Sequence, residues 1–437
     1  MTNGRDYLFT VVIIAITWLA LIQGAYAGYE PKLDQYIRIA IQNNKDLKTV
    51  KYNVAIAKAR LTQAGQFPNP SVELGSIDDR GFTNSGEYTR TVGFTQEFPV
   101  GGRIGRQQDV ARIDVVIAEA EIRDAERKLR ADLATAYYDL LMTDRRLMQL
   151  NKLLRVNIRL VQVAKHHYHA AEVSELDVNT ASLEYQKLSQ ENKVLVSFRL
   201  TQVARLNTLL GRSAESALQL DKSLPSLSFL PNLLLLQKSA LENRADFLSA
   251  YLNLNRAKAD MALARAQRWA DWKIGIGIEK NKLVIEGAPP QQPDRALAIN
   301  LSIPLPLLNQ NQGRIQEASG SEMQAYERIQ ALKLNIESEV ASSYGQVQYL
   351  QKALKQTESS SLPLGMKNIR LAQEAYNAGQ ISIFEMVQMQ RQQYDLQKAY
   401  LNTLEQYLQA VVKLQTAIGG DFHKLISMNG KCKHAQK

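Results

Sequence analysis

Trp272-Lys273-Ile274-Gly275-Ile276-Gly277-Ile278-Glu279 alternates apolar with polar or small residues, and this period of two reads as a β-strand with one apolar face. Leu297-Ala298-Ile299-Asn300-Leu301-Ser302-Ile303 does the same shortly afterwards. An earlier pair matches them. Val72 and Leu74 alternate with Glu73 and Gly75; Val92, Phe94 and Phe98 alternate with Thr91, Gly93, Thr95 and Glu97. Strands are expected at about 71–77, 90–98, 272–280 and 296–303, near the length of a tilted membrane-spanning strand. The linkers Asp78–Thr89 and Lys280–Asp294 are polar and hold Gly and Pro, as exposed barrel loops do. Pro68 and Pro70 precede the first strand, and Pro304 and Pro306 end the last.

The intervening helices offer no apolar surplus to cover this face. Val72, Leu74, Val92, Phe94, Phe98, Trp272, Ile274, Ile276, Ile278, Leu297, Ile299, Leu301 and Ile303 are therefore expected to face lipid. Four strands are too few for a barrel, since the smallest membrane barrels have about eight. An open edge in lipid would leave unpaired backbone groups costing several kcal/mol each. The strands must be pooled between subunits, which predicts a homo-oligomer.

Outward from the strands the sequence turns helical. Between Ile104 and Tyr168 there is no proline and glycine occurs only at Gly105, which allows roughly 95 Å of unbroken helix. Leu129, Leu133, Ala136, Leu140, Leu147, Leu150, Leu154, Ile158 and Val161 recur in steps of a coiled-coil seam. Ile336, Val340, Val347, Leu350 and Leu354 repeat it, and Pro363 is expected to kink that later helix. The two halves are copies. Ala40-Ile41-Gln42-Asn43-Asn44 returns as Ala240-Leu241-Glu242-Asn243-Arg244, and Leu210-Gly211 returns as Ile418-Gly419. The expected organisation is a first repeat over 28–212, a linker over 213–232, a second repeat over 233–420 and a tail over 421–437.

Residues 1–27 read as a secretory signal, with Arg5, an apolar stretch from Leu8 to Ile22, and Ala25-Tyr26-Ala27 as cleavage site. Cys432 is the only cysteine, so no disulfide framework exists. The net charge is +10, but bases and acids interleave, which argues for solvated helix faces and against nucleic-acid binding. Val100-Gly101-Gly102-Arg103 lacks a glycine-patterned counterpart at Asn309-Gln310-Asn311-Gln312, so it reads as a strand-to-helix turn and not a phosphate loop. No catalytic constellation stands out and no cofactor is expected.

Strand pairs alternating with giant helical hairpins, duplicated behind a signal, resemble the outer membrane efflux (TolC-like) family. Phe67-Pro68-Asn69-Pro70 and Arg268-Trp269-Ala270-Asp271 enter strands as in that family, although Ala270 stands where Pro is favoured. Ile303-Pro304-Leu305-Pro306-Leu307, with Asn309-Gln310-Asn311-Gln312-Gly313, is similar to the branch serving cobalt–zinc–cadmium and copper–silver resistance. The resemblance implies a mainly α protein that adds strands to a trimeric 12-stranded transmembrane β-barrel on an α-helical periplasmic tunnel. It also implies an outer-membrane location in a Gram-negative bacterium, a periplasmic membrane-fusion adaptor, and an inner-membrane pump of the resistance-nodulation-division type. The function expected is a passive exit duct for heavy-metal cations. A duct for drugs or type I secretion, and an exported coiled-coil scaffold without a pore, are the alternatives.

The breaks between long helices are the tips. Tyr376-Asn377-Ala378-Gly379 matches the family's Tyr-x-x-Gly motif, whereas Tyr168-His169-Ala170-Ala171 has Ala in place of Gly. Gly379 suits a left-handed helix stop, and Ser174 and Ser382 suit caps of the returning helices. The resemblance implies adaptor contact at Tyr168, Ala171, Ser174, Leu176, Tyr376, Gly379, Ser382 and Phe384. It implies a tunnel-mouth gate at Asp177 and Glu385, while two further charged gate positions fall on Gln388 and Ile381. His166 and His169 share a helix face at a spacing that permits metal binding, but no Cys or nearby His completes a ligand set. A polar surface tip is the expectation there.

Overall fold

The alternating runs pair into one antiparallel sheet in the computed structural model, which describes residues 32–79, 81, 86–221, 230–285, 287–289 and 291–420. The expected signal and tail lie outside the described residues. Strands β1 (Ser71–Asp78), β2 (Tyr88–Phe98), β3 (Trp272–Lys282) and β4 (Asp294–Ser302) stand in chain order. Their register aligns Val72, Phe94, Ile276 and Ile299 in one cross-strand row, and Leu74, Val92, Ile278 and Leu297 in the next. Directly paired residues of an antiparallel ladder share a face, so the apolar side chains form one continuous surface. It is uncovered: Leu74 is 77% exposed and Ile299 69%.

The other face is small and polar. Glu73, Gly93, Gly277 and Ala298 form one of its rows, and Gly75, Thr91, Glu279 and Ala296 another. Ile303 follows the end of β4 instead of closing it, because Pro304 brings no N–H to the ladder and disturbs its predecessor. At the loop side β2 starts at Tyr88 and β3 runs to Lys282. Among the described residues no helix is long and apolar enough to cross a membrane.

The first half supplies helices α1 (Lys32–Asn43), α2 (Lys45–Ala64), α3 (Arg103–His169) and α4 (Glu175–Leu209). The second supplies α5 (Leu233–Asn243), α6 (Ala245–Ala266), α7 (Gln312–Gln356), α8 (Leu362–Asn377) and α9 (Ile383–Ala417). Helix α3 runs 67 residues without a break. Its counterpart is interrupted by a π-helical turn at Thr357–Ser361. Pro363 is the cause. It has no N–H for the Ser359 carbonyl and its ring crowds that group. Widening the preceding turn, with the Leu362 N–H bonded to the Thr357 carbonyl, accommodates the ring. The expected kink is thus realised as a π turn.

The fold divides into two compact units. One comprises Met1–Asn44, Asp132–Leu227 and Leu364–Leu401. Its described part is helical and built on apolar layers. Leu160, Val161, Ala164, Ala181, Ile383 and Val387 form one layer; Leu150, Leu188 and Tyr394 form another. On α3 the position between the layers falls to Asn157, which is buried, while Ile158 is exposed. The expected seam residue is therefore displaced by one position, because 3.6 residues per turn drift against a strict heptad. Gln390 is the matching buried polar residue of α9, and the side-chain oxygens of both lack a protein partner. Tyr394 donates to Glu191 at 3.0 Å, and Lys398 donates to the same oxygen at 2.6 Å. Burial and the Glu191 charge push the Tyr394 phenol up.

The other unit comprises Lys45–Ala131, Ser228–Pro363 and Asn402–Lys437, and it holds the sheet. Arg103 grips Asp271 at 2.5 Å beside the sheet, and Asn311, at φ 60, donates from its amide to the Ala264 carbonyl at 2.8 Å. A groove of about 900 Å³ is lined by Asp124, Asp246, Arg256, Asp260, Arg314 and Arg328, among others. Its charges are largely spent on structural pairs: Arg256 with Asp114, and Arg314 with Asp260.

Each unit contains the same joint, which explains the repeated Asn-Asn/Asn-Arg and Leu-Gly/Ile-Gly signatures. The buried Asn44 amide donates to the Leu209 carbonyl at 3.0 Å, and the buried Arg244 guanidinium donates to the Ala417 carbonyl at 3.1 Å. Gly211 (φ 70) and Gly419 (φ 77) follow those carbonyls. A Cβ on Gly211 would lie 2.5 Å from the Asn43 carbonyl oxygen, and one on Gly419 would lie 3.0 Å from the Asn243 carbonyl carbon. Arg244 adds ion pairs to Asp246 and Glu339, each at 2.7 Å. Burial works against its charge, yet the hydrogen bonds to the two carboxylates prevail and raise its pKa. For Asp246 burial likewise opposes ionisation, and Arg244 more than compensates, holding the carboxyl below its ordinary value.

Candidate functional site: the helical tips

Both tips are built by one device. At the first, the Glu172 N–H bonds back to the His167 carbonyl at 2.9 Å and the Ala171 N–H to the Tyr168 carbonyl at 2.9 Å. At the second, Gln380 bonds to Ala375 at 2.9 Å and Gly379 to Tyr376 at 3.0 Å. This pattern turns the chain off a helix through one left-handed residue. Gly379 takes that conformation at φ 69, and Ala171 takes it at φ 58. The alanine thus keeps the turn geometry and carries the steric cost of its Cβ.

The returning helices start with reciprocal caps. Ser174 Oγ accepts from the Asp177 N–H at 3.3 Å, and the Asp177 carboxylate accepts from the Ser174 N–H at 3.0 Å. Ser382 Oγ accepts from the Glu385 N–H at 3.2 Å, and the Glu385 carboxylate accepts the Ser382 N–H at 2.8 Å. Each is a capping box, with the acid also in the favourable first turn of its helix. The Ser382 N–H and hydroxyl hold the Glu385 carboxyl below the usual range, so it is charged at neutral pH. The serines are caps as expected, and the two acids complete them, which residue type alone does not disclose. Serine three residues before Asp or Glu was the available signal.

The remaining tip residues divide by exposure. Leu176 (73% exposed) and Phe384 (54%) hold equivalent second positions of the returning helices and point to solvent. Tyr168, Ala171, Ser174, Gly379 and Ser382 are also exposed. Tyr376 is half-buried against the Leu160–Val387 layer. Burial, and the Asp177 charge after it, raise its pKa. His166 and His169 are exposed, and His167 pairs with Glu172. Among the described residues no group of three or more His, Cys, Asp or Glu is placed to hold a metal ion.

The family model described as "Outer membrane efflux protein" matches residues 36–212 and 236–420. Over 390 residues the chain is 20% identical to the cobalt-zinc-cadmium resistance protein CzcC of Cupriavidus metallidurans, spanning 89% of this chain and 90% of that one. It is 24% identical over 409 residues to the solvent efflux pump outer membrane protein SrpC of Pseudomonas putida, spanning 90% and 86%. Among solved structures it is similar to CusC, with a TM-score of 0.72 at 17% identity over 89% of this chain and 92% of CusC. The outer membrane protein VceC of Vibrio cholerae matches at 0.70 and 18% identity, over 90% and 97%.

Proposed function

Because this chain belongs to the outer membrane efflux protein family, it is an outer-membrane efflux channel and not an enzyme, and we propose that it is the exit duct for heavy-metal cations in a tripartite pump. Channels of this family are trimeric components of such pumps. Three copies supply twelve strands, enough to close a barrel without exposed edges, and the uncovered apolar face of the sheet meets lipid. The tips, with Leu176 and Phe384 offered to solvent, receive a periplasmic adaptor that joins the duct to an inner-membrane pump of the resistance-nodulation-division type. Substrate then moves down the gradient that the pump establishes.

One observation carries the cation reading: both returning helices present a carboxylate, Asp177 and Glu385, fixed at its N-terminus by a capping box. In a trimer these become six acids at the tunnel mouth, and rings of carboxylates favour cations. The likeness to CzcC points the same way. The likeness to SrpC favours organic solvents instead, and the two readings separate experimentally. Glu385→Gln and Asp177→Asn keep cap-forming side chains but remove charge. In planar bilayers the double variant is expected to lose most of its preference for cations over anions while remaining assembled. A deletion strain complemented with the wild type should regain zinc, cobalt, cadmium or copper tolerance. Restored solvent tolerance with unchanged metal tolerance would overturn the metal assignment.

A further inference from the structure

On the lipid-facing side of the sheet, the row beyond Leu74–Val92–Ile278–Leu297 is Ser76–Arg90–Lys280–Arg295. Three cations on neighbouring strands therefore stand side by side, at the loop end of the apolar surface and on the same face as it. Adjacent strands are about 4.8 Å apart, and like charges placed directly across a ladder repel. Among the described residues none of the three has an ion pair with a carboxylate. Glu279 and Asp294 neighbour them in sequence but belong to the opposite face. Asp78, the nearest carboxylate on the same face, lies one row further on, opposite Tyr88. Arg90 and Arg295 are exposed, and Lys280 is half-buried. The Arg90 guanidinium lies 5.0 Å from the centroid of the Tyr88 ring, an aromatic at the level where membrane barrels carry their interfacial girdle. The opposite end of the apolar surface has its own aromatic pair, Phe98 facing Trp272.

We propose that Arg90, Lys280 and Arg295 form a binding site for the phosphate group of an outer-leaflet lipid, held on the outside wall of the barrel. A phosphate oxygen set supplies the counter-charge that the row lacks and accepts charge-assisted hydrogen bonds from both guanidiniums. The occupant is a lipid and not a free anion, because the next row of the same face is wholly apolar and suits its acyl chains. The proposal rests on the reading of this face as lipid-facing.

The test uses the full chain in mild detergent, titrated with diphosphoryl lipid A, fully dephosphorylated lipid A, or inorganic phosphate, with bound lipid counted by native mass spectrometry. Wild type should retain the diphosphoryl form at about ten-fold lower concentration than the dephosphorylated form. The Arg90→Gln/Lys280→Gln/Arg295→Gln variant should lose that preference, and Lys273→Gln, on the opposite face, should keep it. Equal retention by wild type and triple variant overturns the proposal, as does displacement of the lipid by millimolar inorganic phosphate. A nitroxide at Ile276→Cys, with Cys432→Ser, reports on the underlying reading in both backgrounds. Oxygen-accessible label with unchanged lipid A retention sinks the phosphate site alone; a label reached by water-soluble relaxant sinks the lipid-facing assignment as well. The same label confirms that the triple variant is folded.

Discussion

Ala171 holds a conformation that its sequence counterpart leaves to Gly379, and the cost is local. Ala171→Gly should therefore raise the thermal midpoint, corresponding to about 1 kcal/mol of added stability, with the tip structure unchanged. Arg244 makes the opposite case. Buried at the second joint, it pairs with two carboxylates and donates to a helix-end carbonyl. Arg244→Ala should cost about 2 kcal/mol, measured by thermal or denaturant unfolding. The linkage to pH has a definite sign. The Asp246 carboxyl has a lowered pKa in the folded chain, so its contribution is complete above about pH 4, the ordinary aspartate value, and is lost as pH falls through the lowered value. Arg244→Ala should flatten that acid limb of a stability–pH profile. Asn44, at the equivalent joint, meets its carbonyl without charge, so only one of the two joints should respond to acid in this way.

At the scale of the element, strands and long helices were legible because each has a strict period. Alternation marked the strands and their faces. Steps of three, four and seven marked α3, where Leu133, Leu140 and Leu150 are fully buried. What escaped was local. Ile158 looked like the next seam residue, but helical drift gave the buried place to Asn157, and composition carries no record of that rotation. Pro363 announced an interruption without saying which kind; the π turn arises from how the preceding carbonyls make room. Pro363→Ala should let residues 357–361 return to α-helical pairing, raising the thermal midpoint and showing i to i−4 bonds across the segment in a structure of the variant. At the tips, the turn residues and both serines were readable from residue type. The reciprocal role of Asp177 and Glu385 is also written in the spacing, since each stands three residues after its serine.

For the whole molecule, the sheet's two faces should tolerate charge very differently. Ile276→Lys, on the uncovered apolar face, should destabilise by about 2–4 kcal/mol at the depth of a membrane midplane and reduce membrane-extracted oligomer. Asn300→Lys, on the small polar face, should leave the amount of oligomer unchanged; semi-native electrophoresis of the two variants compares them directly. The two joints carry a different kind of consequence. Gly211 and Gly419 each combine a left-handed backbone with a close neighbouring main chain, which leaves no room for a methyl group at Gly211 and only a tight fit at Gly419. In a saturation library scored by growth under efflux selection, the map should therefore fall to two narrow troughs 208 positions apart, the one at 211 permissive of glycine alone and the one at 419 shallower. Such paired troughs would record, in fitness alone, that this chain was made by copying one half.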